Sequence, residues 1–287
     1  MALHTSATGP LSHCEASMST STLPAVLTIA GSDSSGGAGI QADIKTIAAH
    51  GLFAECAITA ITAQNTCGVR SIQTIDPTIV ADQIDMVFED IRPAAVKIGM
   101  VSSSEIIEKI AERLKSWKAR NLVVDPVMVA TSGARLIDED AQGALTSQLF
   151  PLATLITPNI PEAELLSGMS IEDGASQEQA ARLLMQRYGC ATLVKGGHRI
   201  NEASDALACE TSDGAKTTWF THPRVNNPNT HGTGCTLSSA IACGLAQNLP
   251  LADAVEAAKR YLTGALEAQL DLGQGSGPLD HMWLYRR

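Results

Sequence analysis

Basic clusters and aromatic rings are scarce in this sequence. Aromatics make up 3% of the residues, and no Lys/Arg cluster stands out against a formal charge of -10. An extended nucleic-acid interface draws on a basic stripe, often interleaved with stacking rings, so the composition argues against nucleic acid as a partner. A small phosphorylated ligand stays compatible with an acidic chain, provided positive potential is gathered locally. No apolar stretch is long enough to span a bilayer. Residues 1–24 are rich in Ser and Thr and lack both the apolar core of a secretory signal and the arginines of a transit peptide. They read as a disordered leader, with Met18 as an alternative start. The seven cysteines, Cys14, Cys56, Cys67, Cys190, Cys209, Cys235 and Cys243, form no CxxC pair. An odd count at wide spacing fits a reducing compartment, and a cytoplasmic protein is expected. HExxH and Cys/His finger patterns are missing, which argues against a dedicated zinc site, and so is the glycine-lysine signature of the usual P-loop.

What is present is a core. Apolar residues are 45% of the 287, and they fall into alternating strand-like and helix-like runs. Runs at 25–31, 56–64, 94–100, 121–129, 154–159 and 190–197 read as strands. Most lack period-two alternation, as strands covered on both faces do. Between them lie helical patterns at 39–51, 78–91, 103–117, 138–150, 161–168 and 176–189. In the first, Ile40, Ile44 and Ile47 share a face and Gly51 closes the helix. Residues 205–210 and 216–222 flank Ser-Asp-Gly as a hairpin. Two helices, one from Thr236 and one from Leu251, complete the chain. The pattern predicts an α/β fold: one doubly wound domain over 25–287 with a central, mostly parallel sheet and helices on both faces.

In such a sheet, ligands bind beyond the carboxyl ends of the strands. Several polar residues fall there: the 31–39 glycine-rich turn, Gln64, Met100, Asp125, Asn159 with Glu162, and Lys195. The turn reads equally as a phosphate cradle or as a plain strand-to-helix connection. NTHGTGCTLSSAIACGL, residues 229–245, is more pointed. Free amides from Gly232 to Cys235 at a helix start can form an anion hole for transferring phosphate oxygens. A thiol at a helix N-terminus is expected to have a lowered pKa, which makes Cys235 a candidate base or nucleophile. The other cysteines read as structural. Asn159 and Glu162 can order Mg²⁺ through water, although spacing alone favours first-turn helix stabilisation for Glu162. Lys195 can neutralise phosphate charge or simply end a strand. Met100 reads as core or pocket wall. His231 can cap, bind phosphate or face solvent, and His198 and His222 have no partner that sequence can name.

Taken in order, TIAGSDSSGGAGIQADIKT, AITAQNTCGV, KIGM, DPVM, TPNIPEAELL, LVKGG and NTHGTGCT resemble the hydroxymethylpyrimidine/phosphomethylpyrimidine kinases of thiamine biosynthesis, within the ribokinase-like superfamily. The resemblance runs from about Ala25 to GSGPLDH near the C-terminus. It implies ATP and Mg²⁺, and phosphorylation of 4-amino-5-hydroxymethyl-2-methylpyrimidine and then of its monophosphate. By matching motif it implies that Gln64 bonds the pyrimidine, with Asp43, Met100 and Ala38 in the same pocket. Cys235 takes the catalytic position and Gly232 and Gly234 the anion hole. Asp125, Asn159, Glu162, Lys195 and Thr230 fall on the phosphate and metal side, and Lys259 reaches the nucleotide. A homodimer is the family's usual form. One departure stands out: Thr131-Ser132-Gly133 replaces a Lys-Ser-Gly associated with many members, so one phosphate-side cation is either missing or supplied from elsewhere. The rival readings are a pyridoxal kinase, a non-catalytic vitamin-binding protein on the same fold, and a thiol hydrolase. The hydrolase is disfavoured because no His/Asp relay can be placed beside Cys235.

Overall fold

The computed structural model describes residues 23–128, 139–196 and 202–286. Most of the expected leader, His198 and the Thr131-Ser132-Gly133 departure lie outside these residues.

The strands are β1 (Ala25–Asp33), β2 (Phe53–Asn65), β3 (Gly68–Thr74), β4 (Ala95–Ile98), β5 (Leu122–Val124), β6 (Leu155–Ile156), β7 (Ala191–Val194), β8 (Glu202–Thr211) and β9 (Gly214–Pro223). They form one sheet in the order β3-β2-β1-β4-β5-β6-β7-β8-β9. The six from β2 to β7 in that order run parallel, and β3, β8 and β9 add antiparallel margins. The expected mostly parallel sheet is therefore present. The sequence reading missed β3, whose seven residues are all exposed and carry no buried face to mark them.

The helices are α1 (Gly39–Ala49), α2 (Pro77–Asp90), α3 (Ser104–Ser116), α4 (Glu139–Ala144), α5 (Ile160–Ser167), α6 (Gly174–Tyr188), α7 (Thr233–Ala246) and α8 (Leu251–Glu267). Their starts follow local chemistry. Asp76 caps α2 by accepting from Thr78 N, and Ser103 caps α3. The pattern at 138–150 is less regular than expected: α4 widens into a looser turn at Leu145–Leu149 and tightens again at Phe150–Leu152. Two apolar cores sandwich the sheet. Leu27, Ile29, Val96 and Ile98 pack against α2, α3 and α6, while Val26, Val123 and Leu155 pack against α1, α7 and α8. Among the described residues no helix is long and apolar enough to cross a membrane.

The chain reverses direction across the sheet between β1 and β4, which are paired neighbours. A crevice opens beyond the carboxyl ends of the strands at such a switch point. Gly39 opens α1 there, with φ +56°, and any Cβ on it would lie 2.2 Å from Gly31 O.

Candidate active site

The first turn of α7 faces this crevice. Gly232 is its N-cap, with φ +85°, and a Cβ there would lie 2.0 Å from Gly37 O. Only glycine permits both the left-handed backbone and that approach. The next amides, at Gly234 and Cys235, belong to the first turn, where no intrahelical acceptor exists. A Cβ on Gly234 would lie 3.1 Å from Asp125 Oδ2 and 3.5 Å from Lys195 Nζ. The fold thus brings the glycine pair, Cys235, Asp125 and Lys195 together from α7, the end of β5 and the end of β7.

The expected lowering of the Cys235 pKa is not found. Burial pushes the thiol up, and the Asp43 and Asp125 carboxylates push the same way; Lys97 and the Gly39 amide only partly offset them. Cys235 is therefore a neutral thiol, because desolvation outweighs the helix terminus.

Asp125 is buried, and its Oδ1 accepts from Lys195 Nζ at 2.7 Å and Thr157 Oγ1 at 3.0 Å. Burial alone would raise its pKa, but Lys195 and Lys97 hold the carboxyl below its ordinary value. Burial would lower the Lys195 pKa, and Asp125 and Glu162 hold it raised. Glu162 is itself buried. Burial, with repulsion from Asp125, pushes it up to about 7 despite Lys195. Asn159 and Glu162 form a capping box at α5: Glu162 N donates to Asn159 Oδ1 at 2.9 Å and Asn159 N to Glu162 Oε2 at 2.8 Å. Met128 N donates to Glu162 Oε1 at 3.2 Å. The helix-stabilising reading of Glu162 is therefore present. Each carboxylate oxygen accepts one bond and keeps capacity for a second. Two buried carboxylates in one environment, Glu162 raised by burial and by Asp125, fit a divalent cation that would relieve both causes. No cluster of three or more His, Cys, Asp or Glu able to hold a metal occurs among the described residues.

On the substrate side, Gln64 sits half-buried one residue before the end of β2. Its backbone N and O are both tied to Ser34 Oγ, at 2.8 and 2.7 Å. Met100 leans over Gly31, whose own Cβ would meet Met100 Cε at 2.9 Å. Ala38 stands half-buried at the start of α1. A cleft of about 250 Å³ opens beside Ser34, Gln64, Asn65 and Arg70. A larger depression of about 390 Å³, between α8 and Trp283, contains none of these residues.

Asp43 does not line this pocket. It is fully buried, one turn below Cys235, against the α7 residue Ser239, and all its acceptor capacity is turned inward. Lys97 Nζ bonds both oxygens at 2.9 and 2.8 Å, Ser239 Oγ donates to one at 2.7 Å and Thr28 Oγ1 to the other at 2.6 Å. Lys97, which sequence reasoning missed, is also fully buried, and Gly99 leaves room for it: a Cβ there would sit 2.7 Å from Nζ. Lys259 is held by a carboxylate. Its Nζ lies 2.7 Å from Asp205 Oδ2, both groups buried, while Asp205 Oδ1 accepts from Gly196 N at 2.8 Å. It braces the Lys195-Gly196 turn from behind. Thr230 is exposed and ties its N to Ser276 Oγ at 3.3 Å.

A second missed group is Asp33. Its Oδ2 accepts from Ala38 N at 2.9 Å, Gly37 N at 3.1 Å and His231 Nε2 at 2.8 Å, and its Oδ1 accepts from Ser35. Burial would raise its pKa, but the bonds from His231, Ser35 and Ala38 win and hold it below the ordinary carboxylate range. The 31–39 turn is therefore neither bare cradle nor plain connection: its own carboxylate fills its amides. The C-terminal segment closes the site. Thr66 Oγ1 accepts from Gln274 N and Gly275 N at 3.2 Å, Gly277 N donates to Asn229 Oδ1 at 2.9 Å, and His231 pairs with Pro278.

The family model of phosphomethylpyrimidine kinase matches residues 33–280. The thiamine biosynthesis bifunctional protein of Geobacter sulfurreducens is 51% identical over 258 residues, 90% of this chain and 52% of that one, so the chain spans about half of that relative. The hydroxymethylpyrimidine/phosphomethylpyrimidine kinase of Haemophilus influenzae is 47% identical over 266 residues, covering 91% of this chain and 97% of its own. Among solved structures, an ADP complex of Bacillus subtilis pyridoxal kinase superposes with a TM-score of 0.83 at 34% identity, covering 92% of this chain and 99% of that one.

Proposed function

The chain belongs to the phosphomethylpyrimidine kinase family, and on that premise we propose that it moves the γ-phosphoryl group of ATP onto 4-amino-5-hydroxymethyl-2-methylpyrimidine, and then onto the resulting monophosphate, at the start of α7. It is a kinase of thiamine biosynthesis. The observation that carries the site assignment is the convergence of Asp125, Lys195, Cys235 and the α7 first-turn amides.

Phosphoryl transfer passes through a loose transition state, so positioning and charge neutralisation outweigh early deprotonation. As a base Cys235 must act as the thiolate: the neutral thiol first gives its own proton to solvent, with Lys97 favouring the anion. The sulfur then takes the alcohol proton late, as the new P–O bond forms and ADP departs. The amides of Gly232, Gly234 and Cys235 face the equatorial oxygens, and Lys195 offsets their charge. Mg²⁺ would be held on the Glu162 and Asn159 side next to Asp125, where it supplies positive charge to phosphate oxygens. Gln64, Met100 and Ala38 hold the ring. The protein acts in the cytoplasm as a homodimer, for which a solution mass of twice the 30.1 kDa chain is the check.

Mass analysis of products from the pyrimidine alcohol with Mg-ATP tests the reaction, with mono- and diphosphate expected. Cys235→Ser should lower kcat roughly 10²-fold, with KM changed less than about threefold. An unchanged kcat would remove the assigned role. The likeness to pyridoxal kinase supports a second reading, that pyridoxal is also accepted. ADP release with each alcohol in turn separates the two.

A further inference from the structure

Gln64 presents a side-chain amide whose two ends are told apart by their partners. One end, written Nε2, lies 3.2 Å from His231 Nε2, and the other, Oε1, lies 3.3 Å from Thr62 Oγ1. Neither contact is chemically consistent in that orientation. His231 Nε2 sits 2.8 Å from the buried Asp33 carboxylate, so this nitrogen carries the proton and is a donor. An amide NH₂ against it would set two donors face to face. Thr62 Oγ1 lies 2.9 Å from Ser32 O and gives its single hydrogen there, which leaves it an acceptor toward Gln64. Turning the amide over removes the donor–donor clash: Oε1 then shares, at the longer distance, the His231 Nε2–H that Asp33 also accepts, and NH₂ donates to Thr62 Oγ1.

We propose that His231, fixed by Asp33, and Thr62 are positioning residues that lock the Gln64 amide in this one sense and thereby set which hydrogen-bonding edge of a heteroaromatic substrate the pocket accepts. The proposal rests on the reading of Gln64 as the ring contact. With one lone pair and one hydrogen already committed, the amide has one acceptor and one donor left, side by side. An edge with an exocyclic NH₂ beside an unprotonated ring nitrogen matches them. An edge with a carbonyl beside a ring N–H carries the opposite pair and requires the amide to turn. Turning it restores both conflicts, with His231 and with Thr62.

The test compares kcat/KM, by ADP release, for the 4-amino alcohol and its 4-oxo analogue. In the unaltered enzyme the amino compound is preferred. His231→Leu and, independently, Thr62→Val should each shrink that preference at least about tenfold, since each frees one end of the amide. His231→Gln keeps a donor toward Asp33 and Gln64 and should retain it. The KM for ATP should stay constant throughout, which separates a local effect from misfolding. Gln64→Glu is the control for the underlying reading. If it leaves the amino-to-oxo ratio untouched, Gln64 does not read the ring and both ideas fall. If it changes the ratio while His231→Leu and Thr62→Val do not, only the orientation lock is overturned.

Discussion

Lys97 occupies the third place of a four-residue strand, AVKI, that is otherwise apolar and entirely buried. A lone lysine in such a strand demands a counter-charge, and the sequence displayed that demand. It could not display the partner, because Asp43 lies 54 residues away in chain order. Asp43 itself was half legible. It falls three residues after Ile40 and four before Ile47, on the buried face of α1, and that periodicity places it in the core rather than in the pocket that family resemblance suggested. Burial would lower the Lys97 pKa, but Asp43 holds it above the ordinary value, so the ammonium stays charged. Lys97→Met strands a buried carboxylate and should lower unfolding free energy by about 3–5 kcal/mol. Replacing both residues with apolar ones of similar volume should recover most of that loss. Urea denaturation of the single and double variants checks this, and equal losses in both would show that the pair is not what matters.

At the scale of elements, helices were legible because caps and stripes announce them: Asp76 with Pro77, Ser103, and Asn159 three residues before Glu162. The capping box could be read, but the buried neighbour Asp125 that raises Glu162 could not, since it comes from another strand. β3 was invisible, because nothing in a wholly exposed margin strand has to be apolar. Where β2 begins, Glu55 illustrates a further tertiary effect. Its Oε2 is buried without a hydrogen-bond partner among the described residues. Burial, together with Asp90 at the end of α2, pushes its pKa from 4.5 to about 7. The folded state therefore binds an extra proton between those values. Stability from this group is full below pH 4.5 and is lost as pH rises through 7. Glu55→Gln removes the liability. It should raise the midpoint of thermal unfolding at pH 8 by roughly 2–4 °C, allowing for partial solvent screening, and leave it unchanged at pH 4. A shift of equal size at both pH values would point to packing instead of charge.

Across the whole molecule, the sheet order and both apolar cores follow from the alternation of buried strands with amphipathic helices. The closing of the site does not. Thr66, in the turn between β2 and β3, and the α7 approach at Asn229 and His231 are each held by the segment 272–278, more than forty residues from either. A Cβ on Gly275 would lie 2.1 Å from Thr66 O. Gly275→Ala should therefore loosen the β2–β3 turn beside Gln64. The expected result is a KM for the pyrimidine raised about tenfold with the KM for ATP little changed, read from initial rates. A parallel rise in both constants would mean that the segment serves general stability.

The same strap gives synthesis on the ribosome a definite order. Every described strand, with Asp125, Lys195 and Cys235, has been synthesised by the time α7 is complete, yet the piece that pins Thr66 and His231 comes after α8. A chain halted between the two can pair its strands but lacks the strap that ties the Gln64 side of the site to the Cys235 side.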